Sequence, residues 1–210
     1  MEKLLIFDLD NTIFPSASIP KEKVRELLNI FAETAACYYS EETTSKILEE
    51  LKRNSFVSVF EKFNVSTEVK EAFASNFRKS TFQLKLESFD DFQLVNNLPH
   101  EKILVSEGFK ELQEAKIRAL KLETIFSEIH ISNTLYASRP SKKDILKEVL
   151  HNKKIKPQDM YVIGDKAEAE LKAGYQLGMT TIQVAKLNQP RSKFANFYIE
   201  DFSALETLLE

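Results

Sequence analysis

The stretch Leu4-Leu5-Ile6-Phe7-Asp8-Leu9-Asp10-Asn11-Thr12 decides how this chain is read. Residues 3–8 fit a short strand, apolar enough to be buried in a parallel sheet that is covered on both faces. The run then stops in two carboxylates and a hydroxyl, which burial alone does not favour. In open α/β sheets, ligands bind just outside the carboxyl ends of the strands. Two acids placed there can hold a hard cation, and one of them can act as a nucleophile.

Working outward, the sequence after residue 97 alternates between strand and helix patterns. Ile103-Leu104-Val105 reads as a strand, and Phe109, Leu112, Ala115 and Ala119 fall on one helical face. Residues 128–131, 161–163, 181–184 and 197–199 read as further strands. Helical patterns lie between them, around Ile145 to Leu150 and over 167–177, and a last one carries Leu205, Leu208 and Leu209. Such alternation predicts a doubly wound, mainly parallel sheet with right-handed crossovers. Residues 15–97 read differently. Val24, Leu27, Leu28, Phe31, Ala32 and Ala35 recur at helical spacing, and Ser40 and Ser66 suit helix N-caps. This block holds nine of the 16 phenylalanines and no clear strand, so its phenylalanines are expected to form a helix–helix core. The expected organisation is an α/β, Rossmann-like core from residues 1–14 and 98–210, interrupted by an all-helical cap over 15–97.

Composition narrows the setting. With 210 residues and 43% hydrophobic content, the chain can bury one good core and a smaller second one. Its 29 basic and 32 acidic residues give a net charge of −3, which offers no basic field for a nucleic acid polymer. Cys37 is alone, so no internal disulfide forms, and it reads as a small core hydrophobe on a helix. No apolar run is long enough to span a membrane, and the start lacks the basic-then-apolar plan of a signal peptide. These features predict a soluble cytoplasmic protein with no membrane partner.

Two of the four glycines mark strand ends, in Ser106-Glu107-Gly108 and in Gly164-Asp165. Glycine admits close approach of a ligand to the backbone, so both ends are candidate parts of a site. Gly178 suits a helix C-cap, and Gly174 suits helix packing. Asp-x-Asp-x-Thr after one strand, Ser-x-Gly after a second, a basic residue opening a helix and Gly-Asp after a further strand occur in that order. This arrangement resembles the haloacid dehalogenase superfamily, and the insert between the first two motifs resembles its helical cap.

The resemblance implies a magnesium-dependent phosphomonoester hydrolase acting on a small phosphorylated metabolite. Asp8 matches the nucleophile that becomes an aspartyl phosphate, and Asp10 the acid that protonates the leaving oxygen and later activates water. Mg2+ would be held by Asp8, the backbone carbonyl of Asp10, and Asp165. Ser106 and the backbone N–H groups of Glu107 and Gly108 would bind the phosphoryl group, with Thr12 steadying the first loop. The basic residue is open among three: Lys142 fits best, Arg139 aligns with a Lys-Pro form of the motif and would also face phosphate, and Lys143 comes third. Glu170 stands where many relatives have a second Asp, so it is expected to bind the metal through water or to orient Lys142. Lys166 is expected to pair with Glu170 across one helical turn. The opening Asp-Asn-Thr-Ile-Phe-Pro is similar to that of pyrimidine 5′-nucleotidase-like members, which tilts the substrate toward a nucleoside 5′-monophosphate. His100, His130 and His151 show no metal-ligand spacing. Two other readings keep the same fold: a non-catalytic phosphate-binding protein, and a dehalogenase, which needs neither metal nor an acid such as Asp10.

Overall fold

A computed structural model describes residues 3–209. Six parallel strands form one sheet: β1 (Leu4–Phe7), β2 (Glu101–Gly108), β3 (Glu128–Asn133), β4 (Met160–Gly164), β5 (Thr180–Val184) and β6 (Phe197–Ile199). Their order across the sheet is β3-β2-β1-β4-β5-β6. All pairs are parallel, and β1 runs in register with β2 (Leu4 opposite Glu101) and with β4 (Leu4 opposite Met160). The chain winds outward from β1 through β2 to β3, then returns to β1 and winds the other way. The reversal therefore lies between β1 and β4, which is where such sheets place their ligands.

Alternation along β1 divides its side chains between two cores. Leu5 and Phe7 join Leu104, Ile163 and Ile182 on one face, covered in part by Phe92, Ile117 and Phe202. Leu4 and Ile6 join Ile103, Val105 and Val162 on the other face. That face is covered by α7 (Lys142–Lys153) and α8 (Lys172–Gln176), through Ile145, Leu146, Val149 and Ala173. The first face is covered by α6 (Lys110–Ala119) and α9 (Ala204–Leu208), whose Ile117 and Leu205 are buried there.

Between β1 and β2 lie α1 (Lys21–Ala35), α2 (Glu41–Leu51), α3 (Phe56–Lys62), α4 (Thr67–Lys79) and the short α5 (Gln93–Asn96). Ser40, Ser55 and Ser66 cap α2, α3 and α4, each accepting a hydrogen bond from the backbone N–H three residues on. The insert has its own core of Leu27, Phe31, Ile47, Phe60, Phe73 and Phe77, and Phe109 and Leu135 from the α/β part enter it. Phe109 stacks on Phe73 with ring centroids 4.7 Å apart. Leu86, Phe92 and Val95, near the end of the 15–97 segment, pack instead on the sheet-side core.

Two local expectations are corrected. Cys37 is exposed beyond the end of α1, not part of a core, because the helix stops at Ala35. The helix expected over 167–177 begins as a π-helical turn at Ala167–Leu171 before α8. Such wide turns often mark functional segments.

Candidate active site

β1 ends at Phe7, and the chain turns sharply through Asp8 to Phe14. Asn11 takes a left-handed conformation (φ 61°), and its side chain accepts hydrogen bonds from the Ser16 backbone and hydroxyl. Asp8 continues β1, donating its N–H to the Ile163 carbonyl on β4. Asp165 follows β4 directly. The two carboxylates thus flank the point where the strand order reverses, and both are buried.

Among the three basic candidates, the structure brings only Lys142 to Asp8. A capping box between Ser141 and Asp144 starts α7 and fixes Lys142 as its first residue. Its ammonium donates to Asp8 Oδ1 at 2.5 Å and to Glu170 Oε2 at 2.7 Å. Arg139 donates to the Glu107 carboxylate at 2.8 Å and to the Tyr136 carbonyl. Lys143 reaches out to Gln176. Glu170 is nearly fully buried, and its other oxygen accepts the Lys166 backbone N–H at 2.7 Å. The expected Lys166–Glu170 side-chain pair therefore does not form, because the π turn carries Glu170 inward toward Lys142. Glu168 instead pairs with Lys172 on the surface.

Oxygens of Asp8, Asp165 and Glu170 lie within 4.8 Å of one another. Asp8 Oδ2 and Asp165 Oδ1 are buried with no hydrogen-bond partner among the described residues. Three carboxylates face one ammonium, so positive charge is lacking. Burial pushes Asp8 up to about 7, with Lys142 pulling it back and Glu170 adding to the rise. Burial, helped by Glu170, likewise pushes Asp165 up to about 6. For Lys142, burial opposes the charge but the Asp8 and Glu170 carboxylates outweigh it, so its pKa rises above the usual lysine range. Orphaned hard oxygens beside excess negative charge suit a divalent cation such as Mg2+.

Asp10 points away from that cluster. Its Oδ1 accepts from Lys116 at 2.7 Å, and its Oδ2 accepts from Gln113 at 2.9 Å. Ser106, at the end of β2, accepts a hydrogen bond from the same Gln113 amide at 2.6 Å. Glu107 is taken up by Arg139, and the Gly108 carbonyl accepts the Thr134 N–H. The Thr12 hydroxyl is buried without a hydrogen-bond partner among the described residues, so its side chain does not tie down the loop through them.

The two strand-end glycines have a use beyond the expected ligand approach. A Cβ on Gly164 would lie 2.5 Å from Glu170, and one on Gly108 would lie 2.7 Å from Gln113. Each glycine makes room for a polar side chain returning from the next helix. Gln113 and Lys116 were not expected from the sequence. The available signal was two polar residues at i+4 and i+7 from the buried Phe109, in a stripe that Leu120 continues. A cavity of about 420 Å3 opens over these groups, lined by Asp10, Gln113, Lys116 and Lys166 below and by Ser55 and Phe56 of the helical insert above.

Comparison with known proteins agrees with this architecture. The family model for haloacid dehalogenase-like hydrolase matches residues 5–184. A glyceraldehyde 3-phosphate phosphatase from Methanopyrus kandleri is 22% identical over 200 residues, covering 89% of this chain and 85% of that protein. Among solved structures, 2-haloacid dehalogenase from Pseudomonas syringae pv. Tomato DC3000 is 19% identical with a TM-score of 0.66, covering 100% of this chain and 98% of that one. The HAD-hydrolase YfnB from Bacillus subtilis, solved bound to magnesium, is 17% identical with a TM-score of 0.61, covering 100% and 99%. At such identities the solved structures speak for the fold.

Proposed function

The chain belongs to the haloacid dehalogenase-like hydrolases, and on that premise we propose a magnesium-dependent phosphomonoesterase acting on a small phosphorylated metabolite through an aspartyl phosphate on Asp8. One observation carries the reading: Asp8 has Lys142 on one oxygen, while its other oxygen is buried beside Asp165 and Glu170 with no hydrogen-bond partner among the described residues. A dehalogenase of this fold needs no metal, whereas these buried oxygens suit one. The phosphatase relative supports a phosphate ester as substrate, and the cavity volume supports a small one.

Asp8, Asp165 and Glu170, with the backbone carbonyl of Asp10, would hold the metal. When bound, Mg2+ neutralises charge on the phosphoryl oxygens and on the nucleophile, so that two anions can meet. The protein's own residues do the rest. The Asp8 carboxylate attacks phosphorus, the bond to the leaving oxygen breaks, and Asp10 supplies that oxygen's proton. Lys142 keeps Asp8 in place and adds positive charge beside the transferring group. Ser106 accepts from Gln113, which leaves its own O–H free to donate to a phosphoryl oxygen. Glu107 and Gly108 offer backbone N–H groups at the same strand end, and Arg139, held by Glu107, borders it. The helical insert borders the cavity, and Ser55, Phe56 and Val57 are among its contributions to substrate choice.

The test is turnover of p-nitrophenyl phosphate with Mg2+, then of a phosphorylated-metabolite panel that includes glyceraldehyde 3-phosphate and the nucleoside 5′-monophosphates. An active wild type and an inactive Asp8→Asn variant are expected. Activity that survives Asp8→Asn, or chloroacetate turnover indifferent to chelator, would overturn the reading.

A further inference from the structure

Gln113 and Lys116 form a buried polar pair on α6 that neither the motifs nor the proposed metal site uses. Gln113 is 1% exposed and Lys116 is 6% exposed. Burying an ammonium is costly unless it is paired and hydrogen-bonded. Here Lys116 donates to Asp10 Oδ1 at 2.7 Å and to Gln113 Oε1 at 2.6 Å. The second contact fixes which way the Gln113 amide faces. Its NH2 group is thereby turned toward Asp10 Oδ2 and Ser106 Oγ. Both Asp10 oxygens are engaged, so its carboxylate plane cannot rotate. Gly108 is part of the same device, since any Cβ there would collide with the Gln113 side chain.

We propose that Gln113 and Lys116 are positioning residues that hold the Asp10 carboxylate for the hydrolytic half of the reaction. This rests on the reading of Asp8 as phosphoryl acceptor. In that half, a water oxygen bonds to phosphorus, the bond from phosphorus to Asp8 breaks, and its electron pair returns to the Asp8 carboxylate. The water proton passes to Asp10. Donors on both Asp10 oxygens, one of them cationic, complement the carboxylate form that accepts this proton. They leave a lone pair on each oxygen, and the fixed plane sets where those lone pairs lie.

The experiment uses p-nitrophenyl phosphate with Mg2+, because its leaving group departs without a proton. For this substrate kcat/KM reports steps up to p-nitrophenolate release, while kcat also contains hydrolysis of the phosphoenzyme. Lys116→Met is expected to lower kcat by at least about tenfold, a part of the roughly 10²–10⁴-fold that a positioned base contributes. It should leave kcat/KM within about threefold of wild type, and the fraction of acid-trapped phosphoenzyme should rise. Lys116→Arg, which keeps the charge and a donor, should recover part of kcat. Should Lys116→Met not fold, Lys116→Gln carries the same split. Equal losses in kcat and kcat/KM, with no rise in trapped phosphoenzyme, would overturn the proposal while Asp8→Asn remained inactive. If Asp8→Asn kept its turnover, the nucleophile assignment and this proposal would fall together.

Discussion

Replacing Lys142 with Met removes the ammonium that faces Asp8 and Glu170. The side chain is 5% exposed, and its two contacts are 2.5 and 2.7 Å long. At an effective dielectric constant near 20, each contact is worth roughly 6 kcal/mol before desolvation is subtracted. Desolvation of the lysine offsets much of that, and breaking a buried pair from one side costs about 3–5 kcal/mol in practice. The expected loss of unfolding free energy is therefore about 3–5 kcal/mol, measured by urea denaturation at pH 8 in EDTA. At pH 5 the loss should shrink, because burial lets Asp8 take up a proton once pH falls below about 7. Adding Glu170→Gln to Lys142→Met should recover part of the stability, since it removes a carboxylate left without its partner. Activity should fall by about 10²–10³ in kcat, as for loss of a group that stabilises transferring charge. Lys143→Met is the control: its amine bonds to Gln176 on the surface, and its effect should stay within about 0.5 kcal/mol. A Lys142→Met protein that matches wild type in stability at pH 8 and in kcat, or a damaging Lys143→Met, would contradict this role for Lys142.

Gly164→Ala should lose about 1–3 kcal/mol of stability and weaken Mg2+ binding, because a Cβ 2.5 Å from Glu170 forces that carboxylate out of place; calorimetric titration with Mg2+ on a folded variant checks this. The metal-free protein should lose stability as pH rises from about 4 to 7. Burial raises Asp8 to about 7 and Asp165 to about 6 in the native state, against 3.8 for each as the reference value. The native state therefore binds more protons than the unfolded state across that window, and stability falls with pH. Mg2+ supplies the missing charge, so its gain in Tm should be larger at pH 7.5 than at pH 5, and an equal gain at both would contradict the assignment.

Much of this architecture was legible because strand and helix periods differ. The β1 run ends in acids, the later strands alternate with amphipathic helices, and Ser40 and Ser66 announce their helices. The basic partner of Asp8 was narrowed to three residues but not chosen. Only the Ser141–Asp144 capping box fixes where α7 starts, and a shift of one position would have turned Lys142 outward. Gln113 and Lys116 were hidden because sequence shows a helix face but not what the face meets. Their polarity within a buried stripe becomes informative only when Asp10 and Ser106 are placed opposite them. Cys37 was misplaced for a simpler reason: the helical pattern of α1 ends at Ala35, and nothing beyond it covers the thiol.

The most direct test of the central claim is to trap the covalent intermediate. Wild-type protein turning over p-nitrophenyl phosphate with Mg2+ should be quenched in acid, digested and examined by mass spectrometry. A phosphoryl group on the peptide that contains Asp8, absent when Asp8→Asn is treated in the same way, is the result predicted. Turnover with no phosphorylated peptide, or with the phosphoryl group on another residue, would contradict the account.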